Sequence, residues 1–342
     1  MDISGEINKF MHPKAGIHKV LICGLGSIGR RHLRILHEHW KDVEVGILRS
    51  GCGPYYQEIE LADQVFTTLS DSLSWKPDAA IICTPASNHL STALILARQG
   101  IPLLIEKPVG DGTESRHDWQ ELSALSVSVP MEVGYVLRHD PCRVAVKNYI
   151  EEKRIGRLVE ADFYCGSWLP DWRTGVDYRD CVSANRALGG GALLELSHEI
   201  DLAQSLLGNL ELRASVLNQS GLLEIDVEDQ AHLLAYSDDQ CLVSIRINFC
   251  TQPPRRHIHI RGSNGEINWN LIAGKVEVTE MGKRKIECFQ SPISSDERYR
   301  LQMEHFFSCA VGKKEPLCSL SNGLKTLGIV RRALEVNSRK RN

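Results

Sequence analysis

Six residues constrain this chain more than any others: Gly24-Leu25-Gly26-Ser27-Ile28-Gly29, set directly behind the apolar run Val20-Leu21-Ile22-Cys23. A strand that ends this way must turn sharply into a helix. The first glycine permits the turn, the second lets backbone N–H groups approach a pyrophosphate, and the third lets the helix pack on the strand. The free N–H groups at the helix start then favour phosphate charge. Gly24, Gly26, Ser27, Ile28 and Gly29 are therefore expected to hold a dinucleotide. A second signal lies further on, where Glu106-Lys107-Pro108 follows the apolar run Leu103-Leu104-Ile105. It sets a lysine at the end of a later strand of the same sheet, where a nicotinamide would lie. Together the two signals point to hydride transfer rather than generic nucleotide binding.

The pattern around these motifs supports an α/β fold. Short apolar runs at 18–23, 43–48, 79–83, 101–105 and 131–136 read as strands buried on both faces. Between them lie helical patterns such as 88–99, where Leu90, Ala93, Leu94 and Ala97 form one apolar stripe. This alternation predicts a Rossmann-type, doubly wound parallel sheet. After Arg138-His139-Asp140-Pro141 the pattern changes. A helix is expected near 142–153, an extended segment at 157–168, a helix at 192–207, consecutive strands from 211 to 289, and helices at 297–311 and 321–337. The second part therefore reads as an α+β domain with a large, mostly antiparallel open sheet. The expected division is an N-terminal arm (1–16), a dinucleotide-binding domain (17–138) and a substrate-binding and oligomerisation domain (139–342).

Composition excludes other classes. The 342 residues carry a net charge of −3, so no basic field points to nucleic acid. No apolar run approaches the roughly 20 residues that span a bilayer. The first 16 residues lack the basic start and apolar core of a signal peptide. The 11 cysteines are scattered, without a C-x-x-C pair or zinc spacing, so no metal is expected. Several lie inside apolar runs as small hydrophobes, which implies a reducing compartment and hence the cytoplasm. An open sheet face that is apolar would also need a partner, so a homodimer or homotetramer through the second sheet is expected.

The end of the second strand bears on the cofactor. An NAD enzyme usually places Asp or Glu there, on the ribose hydroxyls. This chain has Leu48-Arg49-Ser50, and Arg49 and Ser50 suit a 2′-phosphate, with Arg30 and Arg31 adding positive field. NADP is therefore favoured over NAD. Thr84-Pro85-Ala86-Ser87-Asn88-His89 follows the strand 79–83. Asn88 reads as the N-cap of the next helix, and Thr84, Pro85, Asn88 and His89 are expected near the ribose and nicotinamide, with Glu106 and Lys107.

These residues resemble the glucose–fructose oxidoreductase, inositol dehydrogenase and rhizopine-catabolism (Gfo/Idh/MocA) family. The likeness runs through the glycine motif with Arg30-Arg31-His32, Thr84-Pro85…Asn88-His89 and Glu106-Lys107-Pro108. It continues in Gly134-Tyr135-Val136-Leu137-Arg138, Gly189-Gly190-Gly191, His198-Glu199-Ile200-Asp201 and Ile260-Arg261-Gly262-Ser263-Asn264-Gly265. The resemblance implies an NAD(P)-dependent oxidoreductase working at a sugar-like secondary alcohol. It implies that Lys107 contacts substrate near the nicotinamide and that His198 handles the proton. The chemistry explains the need. A hydride leaves a carbinol carbon only as its hydroxyl proton leaves, so a base must touch that oxygen and a cation must stabilise it.

On a continuous helix 192–207, Glu195, His198 and Asp201 would share a face, with two carboxylates beside the histidine to orient it or raise its pKa. The family commonly places Asp four residues before this histidine, whereas Glu195 lies three before it. Expected substrate contacts are Lys107, Tyr135, His198 and Asp201. The segment 168–180 adds Trp172, Arg173 and Arg179, which suit a sugar face and an anionic group. Two rival readings use the same site. One is a redox-neutral sugar-modifying enzyme with tightly held NAD. The other is a dinucleotide-binding sensor without turnover, which would have no need of Lys107 and His198 together.

Overall fold

The computed structural model describes residues 16–51, 53–173, 175–282 and 287–338. The expected N-terminal arm, apart from Gly16, lies outside them. The first half alternates as its apolar runs dictate: β1 (Lys19–Cys23), α1 (Ser27–His39), β2 (Glu44–Leu48), β3 (Gln64–Phe66), α2 (Leu69–Ser74), β4 (Ala79–Ile82), α3 (His89–Arg98), β5 (Leu103–Ile105), α4 (Arg116–Leu125) and β6 (Met131–Val133). The six strands pair in parallel in the order β3-β2-β1-β4-β5-β6. This is the order of a doubly wound dinucleotide-binding sheet, and ligands bind such sheets where the winding reverses, here between β1 and β4. Strand β3 escaped the sequence pattern because it has three residues, lies at the edge and exposes Val65.

The second half runs α5 (Pro141–Glu151), β7 (Leu158–Trp168), α6 (Ala192–Glu195), α7 (His198–Leu207), β8 (Leu210–Asn218), β9 (Gln230–Ser237), β10 (Leu242–Asn248), β11 (Cys250–Gly262), β12 (Gly265–Asn270), β13 (Lys275–Glu280), β14 (Glu287–Gln290), α8 (Ser295–Ala310) and α9 (Leu320–Ser338). Its eight strands follow the order β14-β13-β12-β11-β7-β10-β9-β8. Every pairing is antiparallel except β7 with β10.

Three expectations change. The helix expected over 192–207 is two helices, broken at Leu196 and Ser197. Ser197 Oγ donates to the Leu194 carbonyl at 2.8 Å, a local bond that competes with helix continuation. The open face of the second sheet is mostly polar, with Val216, Leu234 and Leu242 exposed toward its β8–β10 end. Alternation turns Ala161, Phe163, Val243, Ile245, Ile258 and Ile260 inward, leaving Asp162, Tyr164, Ser244, Arg246, His257 and His259 on the other face. Finally, α8 returns to the first sheet. Tyr299, Met303, Phe306 and Phe307 join Val20, Ile22, Leu33 and Ile47 in one core. Among the described residues no helix is long and apolar enough to cross a membrane.

Candidate active site

The glycine turn has the geometry its sequence requires. Gly24 adopts φ +98°, a left-handed conformation that side chains resist, and its N–H donates to the Leu48 carbonyl at 2.8 Å. A Cβ there would lie 2.9 Å from the Cys83–Thr84 backbone, so β1 and β4 can close only around a glycine. A Cβ at Gly29 would collide with the Gly24 carbonyl. Gly26 differs, because a Cβ there would meet nothing within 4 Å. It caps α1 without a side-chain bond, and the space beside it is open. Thr84 Oγ1, on the facing loop, is buried without a partner among the described residues. An open backbone cradle with an orphaned hydroxyl beside it fits a dinucleotide.

The surrounding residues are placed unevenly. Arg49 Nη2 donates to the Gly53 and Pro54 carbonyls at 2.9 and 3.0 Å, next to exposed Ser50. The added field expected from Arg30 and Arg31 is consumed locally. Arg30 pairs with Glu58 at 3.3 Å over the Tyr56 ring, and Arg31 pairs with Asp296 at 3.0 Å over the Tyr299 ring. Asn88 makes no side-chain cap, because a 3-10 turn at Ala86–Asn88 leads directly into α3. Pro85 is exposed. His89 is buried and joins two loops, with Nε2 at 2.8 Å from the Thr84 carbonyl and Nδ1 at 2.9 Å from that of Pro108. Glu106 is buried rather than presented to a ligand. It meets His32 Nε2 at 2.7 Å and accepts from the Lys107 N–H at 3.2 Å.

The chain then brings together three segments remote in sequence. Lys107 Nζ, at the end of β5, donates to the Glu195 carbonyl at 3.0 Å and stands 3.9 Å from its carboxylate. Ser183 Oγ donates to that carboxylate at 3.2 Å. His198 opens α7 with Nδ1 buried and unpartnered among the described residues, its ring edge-on to Tyr135 at 5.6 Å. Tyr135 is buried and donates to Ser197 Oγ at 3.3 Å. Burial, then the charges of Lys107 and Arg256, hold His198 well below the usual histidine pKa. This reverses the expected effect of flanking carboxylates, since the Glu195 group faces Lys107 and Ser183. Asp201 is likewise turned away, its two oxygens accepting from Arg138 at 2.8 and 2.9 Å in a buried pair. The sequence reading missed Arg256, which donates through Nε to buried Glu199 at 2.6 Å. The one available signal was Glu199 itself, a carboxylate on the covered face of α7 that needs a cation.

The loop of 168–180 is less of a ligand surface than its composition suggests. Trp172 donates to Ser167 Oγ at 2.8 Å and packs edge-on against Phe249. Arg179 is exposed and pairs with Asp177 at 2.7 Å and Glu224 at 3.1 Å. The Arg173 side chain has no hydrogen bond among the described residues.

The chemistry of these parts is an oxidoreductase's. A neutral imidazole can take a hydroxyl proton, and a lysine can stabilise the oxygen left behind. Known proteins agree. Residues 18–130 match the oxidoreductase family with an NAD-binding Rossmann fold, and residues 144–268 match the GFO/IDH/MocA C-terminal domain. The chain is 25% identical to the rhizopine catabolism protein MocA of Rhizobium meliloti, over 94% of this chain and 95% of that protein. It is 24% identical to scyllo-inositol 2-dehydrogenase (NAD(+)) of Bacillus subtilis, over 70% of this chain and 69% of that one. A levoglucosan dehydrogenase solved with NADH and levoglucosan shares the fold with a TM-score of 0.80 at 16% identity, covering 94% of this chain and 97% of its own. The chain is therefore a member of the Gfo/Idh/MocA family of NAD-binding oxidoreductases.

Proposed function

We propose that the protein transfers a hydride at a secondary alcohol or ketone of a sugar, sugar acid or nucleotide sugar. The observation that carries this reading is the contact of Lys107 with Glu195, with His198 within reach of the lysine's charge. A bound nicotinamide supplies the hydride acceptor or donor. His198, neutral at pH 7, takes the hydroxyl proton from substrate. Lys107, held by the Glu195 carbonyl, stabilises charge on the same oxygen. Glu195 orients that lysine, and Tyr135 orients the histidine from below. MocA, the inositol dehydrogenase and the levoglucosan dehydrogenase lend the substrate class by likeness. Screening polyols and sugar acids for turnover tests the reading. Lys107→Met and His198→Asn should each lower kcat by about 10²–10⁴-fold while cofactor still binds. Unchanged turnover in both variants would refute it.

NADP(H) is our preferred cofactor, because β2 leads into Arg49 and Ser50 where a carboxylate would favour NAD(H). Titration with NADPH and NADH, followed by nicotinamide fluorescence, decides the matter. Arg49→Ala should weaken NADPH about tenfold and leave NADH unaffected. Arg173 is the proposed contact for an anionic substrate group, since Arg179 is already neutralised by Asp177 and Glu224. Arg173→Ala should raise KM for acidic substrates alone. The open face of the second sheet is the proposed site of self-association, to be read by light scattering.

A further inference from the structure

We propose that Glu132, His305 and Cys309 form a site for a thiophilic divalent cation, Zn2+ foremost, which clamps β6 to α8. None of the three takes part in the catalytic cluster. Their donor atoms all lie within 4.8 Å of one another. Glu132 Oε2 is 3.1 Å from His305 Nδ1 and 3.9 Å from Cys309 Sγ, and the sulfur is 3.5 Å from Nδ1. A point equidistant from the three lies about 2 Å from each, which is the reach of zinc to oxygen and nitrogen and close to its reach to sulfur. The donors therefore already stand as one face of a tetrahedron, with the fourth position left for water.

Three further observations support a cation here. First, the residues are deeply buried: the Glu132 side chain is 0% exposed, that of His305 12%, and Cys309 2%. Second, proton sharing leaves the thiol a long contact. If Nδ1 donates to Glu132 it cannot accept from the thiol, whose other contact is the 3.9 Å one to the same carboxylate oxygen. A cation would engage all three donors at once. Third, His139 Nε2 meets the other Glu132 oxygen at 3.0 Å, the kind of outer hydrogen bond that orients a metal-binding carboxylate. His305 and Cys309 are also four residues apart on α8 and so share a helix face. The sequence hides the group, since Glu132 and His305 are 173 residues apart. The clamp would fasten the helix whose Tyr299, Met303, Phe306 and Phe307 complete the first sheet's core.

The test uses the tag-free full chain, stripped with chelator and titrated with Co2+ and then Zn2+. About one Co2+ per chain should bind, with a thiolate-to-cobalt charge-transfer band and tetrahedral visible bands that Zn2+ abolishes. Cys309→Ser should lose the charge-transfer band, and His139→Gln should bind about 10–100-fold more weakly. Loading with Zn2+ should raise the unfolding temperature of the wild type more than that of Cys309→Ser. Folded wild-type protein that develops no thiolate band would overturn the proposal. So would equal binding by wild type and Cys309→Ser, which would locate the cation elsewhere.

Discussion

Helix α7 carries two buried carboxylates, Glu199 and Asp201, and each has an arginine and a cysteine for company. Asp201 is closed. Both its oxygens accept from Arg138, and the Cys318 thiol donates to it at 3.7 Å. Glu199 is open. One oxygen accepts from Arg256 at 2.6 Å, while the other oxygen and Arg256 Nη2 are buried without hydrogen-bond partners among the described residues, near the Cys165 thiol. The open pair is also the one that reaches His198, because Arg256 helps to lower the histidine's pKa and Arg138 does not. Two pairs of the same chemistry on one helix thus serve different ends. The closed pair fixes where α7 sits against the 136–139 turn, and the open pair adds to the charge around His198.

Removing the closed pair should have the largest effect on stability. Asp201→Ala leaves Arg138 buried and unpaired, at a cost of about 3–5 kcal/mol. Chemical denaturation should show it, while kcat per folded molecule stays within a factor of a few. Lost turnover at full stability would break the comparison, since it would place Asp201 at the substrate. Arg256→Met should do the reverse. Its loss leaves buried Glu199 without its cation, but burial already raises that carboxyl's pKa and a proton can neutralise it, so the cost in stability should be less than that of losing Asp201. The arginine's charge, however, holds His198 down, so the acid limb of kcat/KM should move up in pH. The sign follows from linkage. His198 has a lower pKa folded than unfolded, where histidine titrates near pH 6.5, so the folded state binds fewer protons. The stability it contributes is complete above about pH 6.5 and is lost as pH falls through the folded pKa. In the wild type the acid limb should therefore lie below that of a free histidine, and Arg256→Met should bring the two closer. An unmoved limb would leave Arg256 as packing.

These differences mark what a sequence can disclose. The cradle at Gly24, Gly26 and Gly29 was legible because its residues are contiguous and its function lies in the backbone. Lys107 was legible because a strand end fixes where a side chain emerges. His198 was found by resemblance, but its surroundings were not. Counting along a continuous helix set Glu195 and Asp201 beside it, whereas the break at Ser197 turned one toward Lys107 and Arg138 took the other. Arg256 approaches from a strand 57 residues beyond Glu199, so its contact exists only once the second sheet has formed. In the 168–180 loop the aromatic and arginine content suggested a ligand surface. The Asp177–Arg179 spacing already held the simpler answer, an ion pair formed within the loop.

The smallest expected effect sharpens the contrast most finely, because it compares the two cysteines. Cys318→Ala removes a donor from a carboxylate that Arg138 already saturates, and leaves a small cavity in a fully buried site. The expected cost is about 1 kcal/mol, divided between the lost S–H···O contact and the cavity. Cys165→Ala removes a similar volume from the covered face of β7, but there Glu199 has an oxygen with no other hydrogen-bond partner among the described residues. The thiol also supports the carboxylate that pairs with Arg256, one of the charges acting on His198, so its loss should appear in the pH profile of kcat/KM as well as in stability. Cys318→Ala should leave that profile unchanged. Equal shifts in both variants would mean that the two carboxylates are equivalent supports and that the openness of Glu199 carries no function. A shift confined to Cys165→Ala would assign the tuning of the catalytic base to the open pair, and would make Glu199 and Arg256 the next positions at which to alter the pH range of the enzyme.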